Sequence, residues 1–151
     1  MISVVIPAYN EYETLPVFHR ELISVLDVMG IPFEIIYVDD GSNDRTQAIM
    51  KGFETEWSEV HAVSIAHGGK GAALAAGFGA SRGDIIVMLD ADLQDVPSEI
   101  PKLLAAIDAG ADFANGWKQN RQDPKIKLVS SHLYNWLVRI LTHTPVHDVN
   151  C

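Results

Sequence analysis

Residues 85–92 read Ile-Ile-Val-Met-Leu-Asp-Ala-Asp, an apolar run that ends in two carboxylates. An apolar run of about five residues has the length of a buried strand, and buried strands do not normally end in two unpaired carboxylates. In an open α/β sheet, ligands bind at the carboxyl edge of the strands. Asp90 and Asp92 are therefore candidate ligands of a hard divalent cation. The alternative is a solvated turn that leads into a helix N-cap.

Strand-like and helix-like stretches alternate along the rest of the chain. The strand-like stretches are residues 2–6, 33–38, 60–65, 85–89 and 113–115. The helix-like stretches are residues 12–29, a segment capped by Asn43 or Asp44 that runs to about residue 53, and residues 70–81, 97–109 and 125–142. This order predicts one α/β domain over residues 1–151, with a mostly parallel sheet flanked by helices on both faces.

The composition is typical of a soluble globular protein. The chain has 151 residues, of which 48% are apolar and 21% charged, and its formal net charge of −9 argues against general nucleic-acid binding. No apolar stretch approaches the roughly 20 residues that span a bilayer. Met1 leads into a strand without a basic leader, so we expect no signal peptide. The single cysteine, Cys151, excludes an internal disulfide and fits a reducing cytosol.

Residues 118–139 form a basic segment in this acidic chain. The segment holds five basic residues and one acidic residue, Asp123, and therefore has a net charge of +4. One interpretation is a solvated helix face, and the other is a patch that meets a phosphate or an acidic membrane surface. The basic residues are Lys118, Arg121, Lys125, Lys127 and Arg139.

Polar clusters follow three of the predicted strands. They are residues 7–11 (Pro-Ala-Tyr-Asn-Glu), 39–42 (Asp-Asp-Gly-Ser) and 90–94 (Asp-Ala-Asp-Leu-Gln). Because parallel strands end at one edge of a sheet, these clusters are expected to line one crevice. A tyrosine ring can stack on a base, carboxylates can accept hydrogen bonds from a base or ribose, and a bound cation can neutralise a diphosphate. The sequence therefore predicts a site for a nucleoside diphosphate with its cation.

Two other motif interpretations do not fit the residues present. Gly69-Lys70-Gly71 is followed by Leu74 where a dinucleotide-binding fingerprint needs its third glycine, and no serine or threonine follows the lysine as a P-loop requires. Residues 90–101 begin like a calcium-binding loop, but Asp95 and Pro101 stand where that loop needs glycine and glutamate.

Four segments together carry a resemblance to a known family: Val4–Glu11, Val38–Ser42, Gly68–Gly77 and Leu89–Gln94. They resemble family 2 glycosyltransferases of the GT-A fold, a Rossmann-like, mostly parallel sheet. Asp-Ala-Asp-Leu-Gln followed closely by a proline, and the step Gly116-Trp117-Lys118, are most similar to the branch of dolichyl-phosphate mannose synthases and polyprenyl-phosphate glycosyltransferases. The resemblance extends over essentially the whole chain.

The resemblance implies roles for individual residues. Those expected to bind the nucleotide are Pro7, Tyr9, Glu11, Asp39, Asp40, Lys70 and Asp90. Those expected to hold Mg²⁺ or Mn²⁺ are Asp90, Asp92 and Gln94. Those expected to be catalytic are Asp92, Lys118 and Lys127, with Lys125 as the alternative for the lysine near the acceptor phosphate. Lysine at position 118, where the family usually has arginine, keeps the charge but lacks the bidentate fork.

The implied reaction is a metal-dependent, inverting transfer of a hexose to a polyprenyl phosphate such as dolichyl or undecaprenyl phosphate. The donor is a GDP- or UDP-linked sugar, and the full-length protein is expected at the cytoplasmic face of a membrane, in cell-envelope synthesis. The chain stops at Val149-Asn150-Cys151, inside a motif that continues in the family, which predicts an N-terminal piece of a longer catalytic domain.

Other functions remain open on the sequence. A family 2 enzyme with a polysaccharide or other sugar acceptor would share the donor site, and so would a non-catalytic nucleotide-sugar-binding protein. A phosphoacceptor signalling domain would account for Asp39, Asp40, Asp90 and Lys118. It would not account for the complete strand and helix that precede the aspartate pair, nor for residues 7–11.

Overall fold

A computed structural model describes residues 1–116 of the protein. The basic segment and the predicted helix 125–142 lie outside the described residues. The strands are β1 Ile2–Ala8, β2 Phe33–Asp39, β3 Val60–Ser64 and β4 Ile85–Met88. The helices are α1 Leu15–Met29, α2 Thr46–Glu56, α3 Lys70–Ala80 and α4 Ile100–Asp108, with a short 3-10 helix at Pro97–Glu99 before α4.

The four strands form one parallel sheet in the order β3-β2-β1-β4. β1 lies at the centre, where Val5 pairs with Ile36 of β2 and with Met88 of β4. Nearly every residue of β1 is buried, because both faces of this strand are covered. This is why β1 is an almost continuous apolar run rather than an alternating one. The predicted α/β class and parallel sheet are confirmed.

Helices cover both faces of the sheet. Alternate residues of a strand point to opposite faces, so Val5 and Val38 share one face and Tyr37 lies on the other. Helix α3 packs on the first face, where Ala73 joins the same buried cluster as the two valines. Helix α1 packs on the second face, where His19 contacts Tyr37. The expectation of helices on both faces is therefore correct.

A buried aromatic cluster joins α1, β2 and α2. His19 Nδ1 lies 2.9 Å from the Tyr37 hydroxyl, and the His19 ring stacks on Phe53 with ring centroids 3.8 Å apart. His19 is 6% exposed, and its Nε2 has no hydrogen-bond partner within residues 1–116. Burial lowers the pKa of His19 to about 4 and raises the pKa of Tyr37. Both side chains are therefore neutral at pH 7.

Helix α3 approaches the sheet most closely at Gly77. A Cβ atom at this position would overlap Val5 Cγ1 and lie 3.2 Å from Val38 Cγ2. We expect Gly77→Ala to lower the free energy of unfolding by about 1–3 kcal/mol, because the helix and the sheet must move apart. The measurement is urea-induced unfolding.

Gly79 of the same helix provides the matched control for Gly77. Nothing lies within 4 Å of the position that a Cβ atom would take there. Gly79→Ala is therefore expected to leave the free energy of unfolding unchanged or to raise it by up to about 1 kcal/mol. Equal urea concentrations at the midpoint of unfolding for Gly77→Ala and Gly79→Ala would contradict close packing at Gly77.

A buried carboxylate, that of Glu34, joins chain segments at the amino edge of the sheet. Ser3 Oγ and the backbone N–H of Arg82 each donate to Glu34 Oε1 at 2.6 Å. The Arg82 guanidinium binds Oε2 through Nε at 2.9 Å and Nη2 at 2.8 Å. Burial acts to raise the pKa of Glu34, but the bonds from Ser3 and Arg82 prevail and lower it. The carboxylate therefore links β1, β2 and the loop before β4.

Two helices begin later than the sequence predicts. Helix α1 begins at Leu15 rather than at residue 12, because Thr14 Oγ1 and the Leu15 N–H both bond to the Glu11 carbonyl in a preceding turn. Helix α2 runs from Thr46 to Glu56 with Arg45 at its N-cap position. Asp44 accepts the Thr46 N–H at 2.8 Å instead of occupying the cap itself.

The predicted strand at residues 113–115 is wrong. These residues form no strand with any part of the chain that the structure describes, and Phe113 is 68% exposed. A strand exists only where a neighbouring strand pairs its backbone groups. The short apolar stretch at Phe113 carries no information about such a partner, and this explains the error.

The chain divides into two units, Met1–Pro101 and a second that begins at Lys102. All crevice residues described below belong to the first unit. The organisation of residues 1–151 as one domain stays a prediction. Among the described helices, none is long and apolar enough to cross a membrane.

Candidate functional site

A crevice of about 200 Å³ opens at the carboxyl edge of the sheet. The segments that follow β1, β2 and β4 bound it, together with the start of α3. Its lining residues are Pro7, Ala8, Tyr9, Glu11, Asp40, Lys70, Ala73, Asp90, Ala91 and Asp92. The structure thus brings together every residue predicted to bind the nucleotide except Asp39, and two of the three predicted metal ligands, Asp90 and Asp92.

Hydrogen bonds fasten the loops after β1 and β2 to each other. Asn10 N–H donates to Ser42 Oγ at 3.0 Å, and Asn43 N–H donates to Asn10 Oδ1 at 3.0 Å. Asn10 has a φ of 58°, a left-handed conformation that asparagine adopts more readily than most residues. Glu11 N–H donates to Thr46 Oγ1, at the start of α2, at 2.8 Å. These bonds fix one wall of the crevice.

The two adjacent aspartates after β2 have different partners. Asp39 is buried, and its Oδ1 accepts the Ser42 N–H at 3.0 Å, which closes the turn. The Asp40 carboxylate accepts the N–H groups of Gly68 at 2.8 Å and Gly69 at 2.9 Å. The Gly68 bond, with that from Gly69, lowers the pKa of Asp40 although burial opposes the shift. Asp40 is therefore ionised at neutral pH.

Tyr9 and Glu11 stand on the wall formed by the loop after β1. Tyr9 is 43% exposed, and its ring stacks on that of His67 with centroids 4.4 Å apart. Glu11 Oε2 accepts a hydrogen bond from Thr14 Oγ1 at 2.6 Å. The crevice therefore presents an aromatic ring and a carboxylate from the same short loop.

An ion pair crosses the crevice between α3 and the segment after β4. Lys70 Nζ lies 2.6 Å from Asp90 Oδ1 and 2.8 Å from Oδ2. The turn that follows is tight: Asp92 Oδ1 accepts the Gln94 N–H at 3.0 Å, and Leu93 has a φ of 64°. Asp90, Ala91 and Asp92 line the crevice, whereas Gln94 of the same turn does not.

Asp90 and Asp92 match part of a divalent-cation site. Within residues 1–116, no group of three or more histidine, cysteine, aspartate or glutamate side chains is placed to enclose a metal ion. Mg²⁺ in proteins is commonly held by one or two carboxylates together with substrate phosphates and water. Two carboxylates beside an open crevice fit a cation of that kind. Gln94 as a third ligand stays a prediction.

Two features of the site were not predicted from the sequence: a role for His67, and the ion pair between Lys70 and Asp90. The one signal in the sequence that could have indicated His67 is its position directly before Gly68 and Gly69, whose N–H groups bind Asp40. The predicted catalytic residues Lys118 and Lys127 lie outside residues 1–116.

Comparisons with known proteins add to this geometry. The family model for glycosyl transferase family 2 matches residues 3–145. The undecaprenyl-phosphate 4-deoxy-4-formamido-L-arabinose transferase of Edwardsiella ictaluri is 40% identical over 152 residues, which covers 99% of this chain and 47% of the relative. The protein of the same name from Salmonella newport is 39% identical, with 99% and 46% covered. The chain thus spans about half the length of these curated relatives.

Solved structures share the fold. Glucosyl-3-phosphoglycerate synthase from Mycobacterium tuberculosis, in complex with Mn²⁺, uridine diphosphate and phosphoglyceric acid, has a TM-score of 0.58 and 31% identity over 71% of this chain and 38% of that chain. TarS from S. aureus has a TM-score of 0.55 and 27% identity over 72% of this chain and 32% of that chain. Both similarities extend over more than two thirds of this chain.

Proposed function

Because this chain belongs to glycosyl transferase family 2, we propose that its crevice binds a nucleoside-diphosphate sugar as the donor for glycosyl transfer to a polyprenyl phosphate. The resemblance found in the sequence is thereby confirmed at the level of the family. The observation that carries the proposal is the meeting of Tyr9, Lys70, Asp90 and Asp92 at one crevice. The names of the curated relatives, which refer to undecaprenyl phosphate, support the acceptor. Those names refer to an arabinose derivative, so the proposal covers a glycosyl group in general rather than a hexose alone.

Each crevice residue has a chemical use toward such a donor. The exposed ring of Tyr9 offers a surface on which a guanine or uracil base can stack. Glu11 and Asp40 can accept hydrogen bonds from the base or the ribose, while Asp39 and Pro7 support the wall. Lys70 supplies a positive charge for the diphosphate, beside the start of α3, where helix N–H groups also favour an anion.

Asp90 and Asp92 are proposed to hold Mg²⁺ or Mn²⁺, with Gln94 as a further oxygen ligand. The cation, when bound, offsets the negative charge that develops on the departing nucleoside diphosphate. Lys70 binds both oxygens of Asp90, and each oxygen keeps a further lone pair with which it can bind a cation. Lys70 also lines the crevice, where its charge can act on the phosphates of the donor.

The acceptor phosphate needs no dedicated general base, because it is already an anionic nucleophile. Its oxygen forms a bond to the anomeric carbon while the bond from that carbon to the nucleoside diphosphate breaks, and this single displacement inverts the configuration. Lys118 and Lys127 are proposed to offset the repulsion between the two phosphates. A lipid acceptor and a nucleotide-sugar donor together favour the cytoplasmic face of a membrane in the full-length protein.

Calorimetric titration of UDP and GDP, with Mg²⁺ or Mn²⁺, tests the proposal. We expect one nucleotide to bind in a metal-dependent manner and Asp92→Ala to weaken that binding by at least about tenfold, which corresponds to about 1.4 kcal/mol. Removal of a single carboxylate ligand leaves the cation held less tightly against the diphosphate.

Asp27→Ala is the matched control for this titration. Asp27 lies on the exposed side of α1, so this variant removes the same charge away from the crevice, and we expect its affinity to stay within twofold of the parent. Failure of the folded parent chain to bind either nucleotide would contradict the proposal. Equal affinities of Asp92→Ala and Asp27→Ala would refute the assigned role of Asp92.

A further inference from the structure

His67 lies behind the crevice wall, in contact with Tyr9. The two rings stack with centroids 4.4 Å apart and an angle of 28° between their planes. Tyr9 lines the crevice, whereas His67 is not among the lining residues. Since Tyr9 remains 43% exposed, its ring keeps surface for a ligand while His67 supports it. Any effect of His67 on a ligand in the crevice is therefore transmitted by its contact with Tyr9.

The orientation of the His67 ring is itself fixed. His67 Nδ1 lies 3.0 Å from the Asp40 carbonyl oxygen and 3.0 Å from Asp40 Oδ2. Because both partners are acceptors, Nδ1 carries the proton and donates. The ring therefore has one tautomer and one direction, set by a residue of the crevice.

The backbone on either side of His67 is equally constrained. A Cβ atom at Gly41 would lie 2.8 Å from the His67 backbone nitrogen, so the turn after β2 passes very close to the loop before α3. The next two residues, Gly68 and Gly69, donate their N–H groups to the Asp40 carboxylate. Close approach to the turn after β2 and hydrogen bonds to Asp40 therefore hold the backbone at His67 and at the two residues that follow it.

We infer that His67 is a positioning residue for the donor base: aligned by Asp40, it holds the Tyr9 ring in the orientation on which the base stacks. This inference rests on the proposed function, because it requires a nucleotide in the crevice. A positioning role for His67 predicts different effects on ligands with and without a base. A residue that acts through Tyr9 affects the binding of ligands that have a base, and it leaves the binding of a bare diphosphate unchanged.

The test is a calorimetric titration of the chain with three probes, UDP, GDP and inorganic pyrophosphate, each with Mn²⁺. We expect His67→Ala to weaken the affinity for the nucleotide that binds by about 5- to 10-fold, which lies within the range of about 2- to 12-fold for loss of an aromatic contact. Pyrophosphate affinity is expected to stay within twofold. This difference between probes is a result that a general loosening of the loop would not produce.

Two further variants separate the ring from its hydrogen bond. His67→Phe keeps a ring for Tyr9 but lacks the Nδ1–H group, and we expect it to retain nucleotide affinity within about threefold. His67→Asn keeps an N–H donor for Asp40 but lacks the ring, and we expect it to behave like His67→Ala. Circular dichroism melting shows which variants are folded. If His67→Ala is not folded, the affinities of His67→Phe and His67→Asn alone test the inference.

The outcomes that overturn the inference are distinct from failure of the proposed function. The inference is overturned if folded His67→Ala or His67→Asn binds the nucleotide with unchanged affinity. It is also overturned if these variants lose affinity for the nucleotide and for pyrophosphate to the same extent. If the parent chain binds neither nucleotide nor pyrophosphate, the proposed function fails and the inference fails with it. If the parent binds a nucleotide and the variants do not discriminate between probes, only the inference fails.

Discussion

Arg82→Ala is expected to lower the free energy of unfolding by about 3 kcal/mol. Loss of the cation beside a buried carboxylate leaves a charge with less compensation, and the cost is about 3–5 kcal/mol when both partners of the pair are buried. The side chain of Glu34 is 3% exposed, while that of Arg82 is 65% exposed. Ser3 and the backbone N–H of residue 82 still bind the carboxylate in the variant, which places the effect at the lower end. His61 Nε2, at 3.7 Å from Glu34 Oε2, is too distant to replace the guanidinium bonds.

The measurement is urea-induced unfolding of the Arg82→Ala variant, with Arg20→Ala as the control. Arg20 is an exposed arginine of α1, and we expect its removal to change stability by less than about 0.5 kcal/mol. A loss below about 1 kcal/mol in Arg82→Ala would show that the guanidinium does not compensate the buried charge.

The pH dependence of the Arg82→Ala variant has a definite sign. In the parent chain the pKa of Glu34 is lowered, so its contribution to stability is present above the ordinary pKa and lost as the pH falls through the lowered value. Without the Arg82 guanidinium, two of the interactions that lower the pKa of Glu34 are lost while burial still acts to raise it, so the pKa of Glu34 in the variant lies above that in the parent and protonation relieves the buried charge at a higher pH. The difference in stability between parent and variant should therefore shrink as the pH falls below about 5. A difference that grows on acidification would contradict this account.

Acidification from pH 6.5 to pH 4 is expected to remove about 3 kcal/mol of stability through His19. Its pKa is about 4 in the folded chain and about 6.5 in the unfolded chain. Between these values the unfolded chain binds a proton that the folded chain excludes, so stability is complete above pH 6.5 and falls with pH. A difference of about 2.5 pKa units at 1.36 kcal/mol per unit gives the stated magnitude.

The His19→Phe variant isolates this contribution to the pH dependence. Phenylalanine keeps a ring against Phe53 but cannot be protonated, and the Tyr37 hydroxyl loses its partner at 2.9 Å. The variant is therefore expected to be less stable at pH 7, with a much flatter dependence between pH 6.5 and 4.5. Urea unfolding at pH steps of 0.5 measures both slopes. Identical slopes in parent and variant would show that another group controls this range.

The sheet could be predicted from sequence because burial on two faces leaves a local pattern. The apolar runs at β1 and β2 are almost continuous, interrupted by Ser3 and Glu34, and each is followed by residues that favour turns. The errors occur where the cause is not local. The turn that precedes α1 begins at Glu11, whose N–H donates to Thr46 Oγ1, 35 residues further along the chain. Whether Phe113 belongs to a strand depends on a pairing partner, which its neighbours in sequence do not encode.

The site was predictable to the extent that strand ends determine it. Tyr9, Asp40 and Asp92 follow different strands, and parallel pairing alone brings them to one edge. The partners of these residues depend on loop conformation instead. Asp40 binds the loop before α3, and Lys70 crosses to Asp90. Such contacts join positions about 20 to 30 residues apart, as the Lys70–Asp90 separation of 20 shows, and no spacing rule links them.

The hydrogen bonds of Asp40 have a consequence for how loss-of-function variants are interpreted. This carboxylate both lines the crevice and holds the N–H groups of Gly68 and Gly69. A substitution at Asp40 therefore changes ligand contact and loop conformation together, and an inactive Asp40 variant reports on their sum. Within residues 1–116, the Asp92 carboxylate has no hydrogen bond to a distant loop. It accepts the N–H of the nearby Gln94. For a test of the proposed function, Asp92 is accordingly the better of the two aspartates at which to remove ligand contact while the fold is kept.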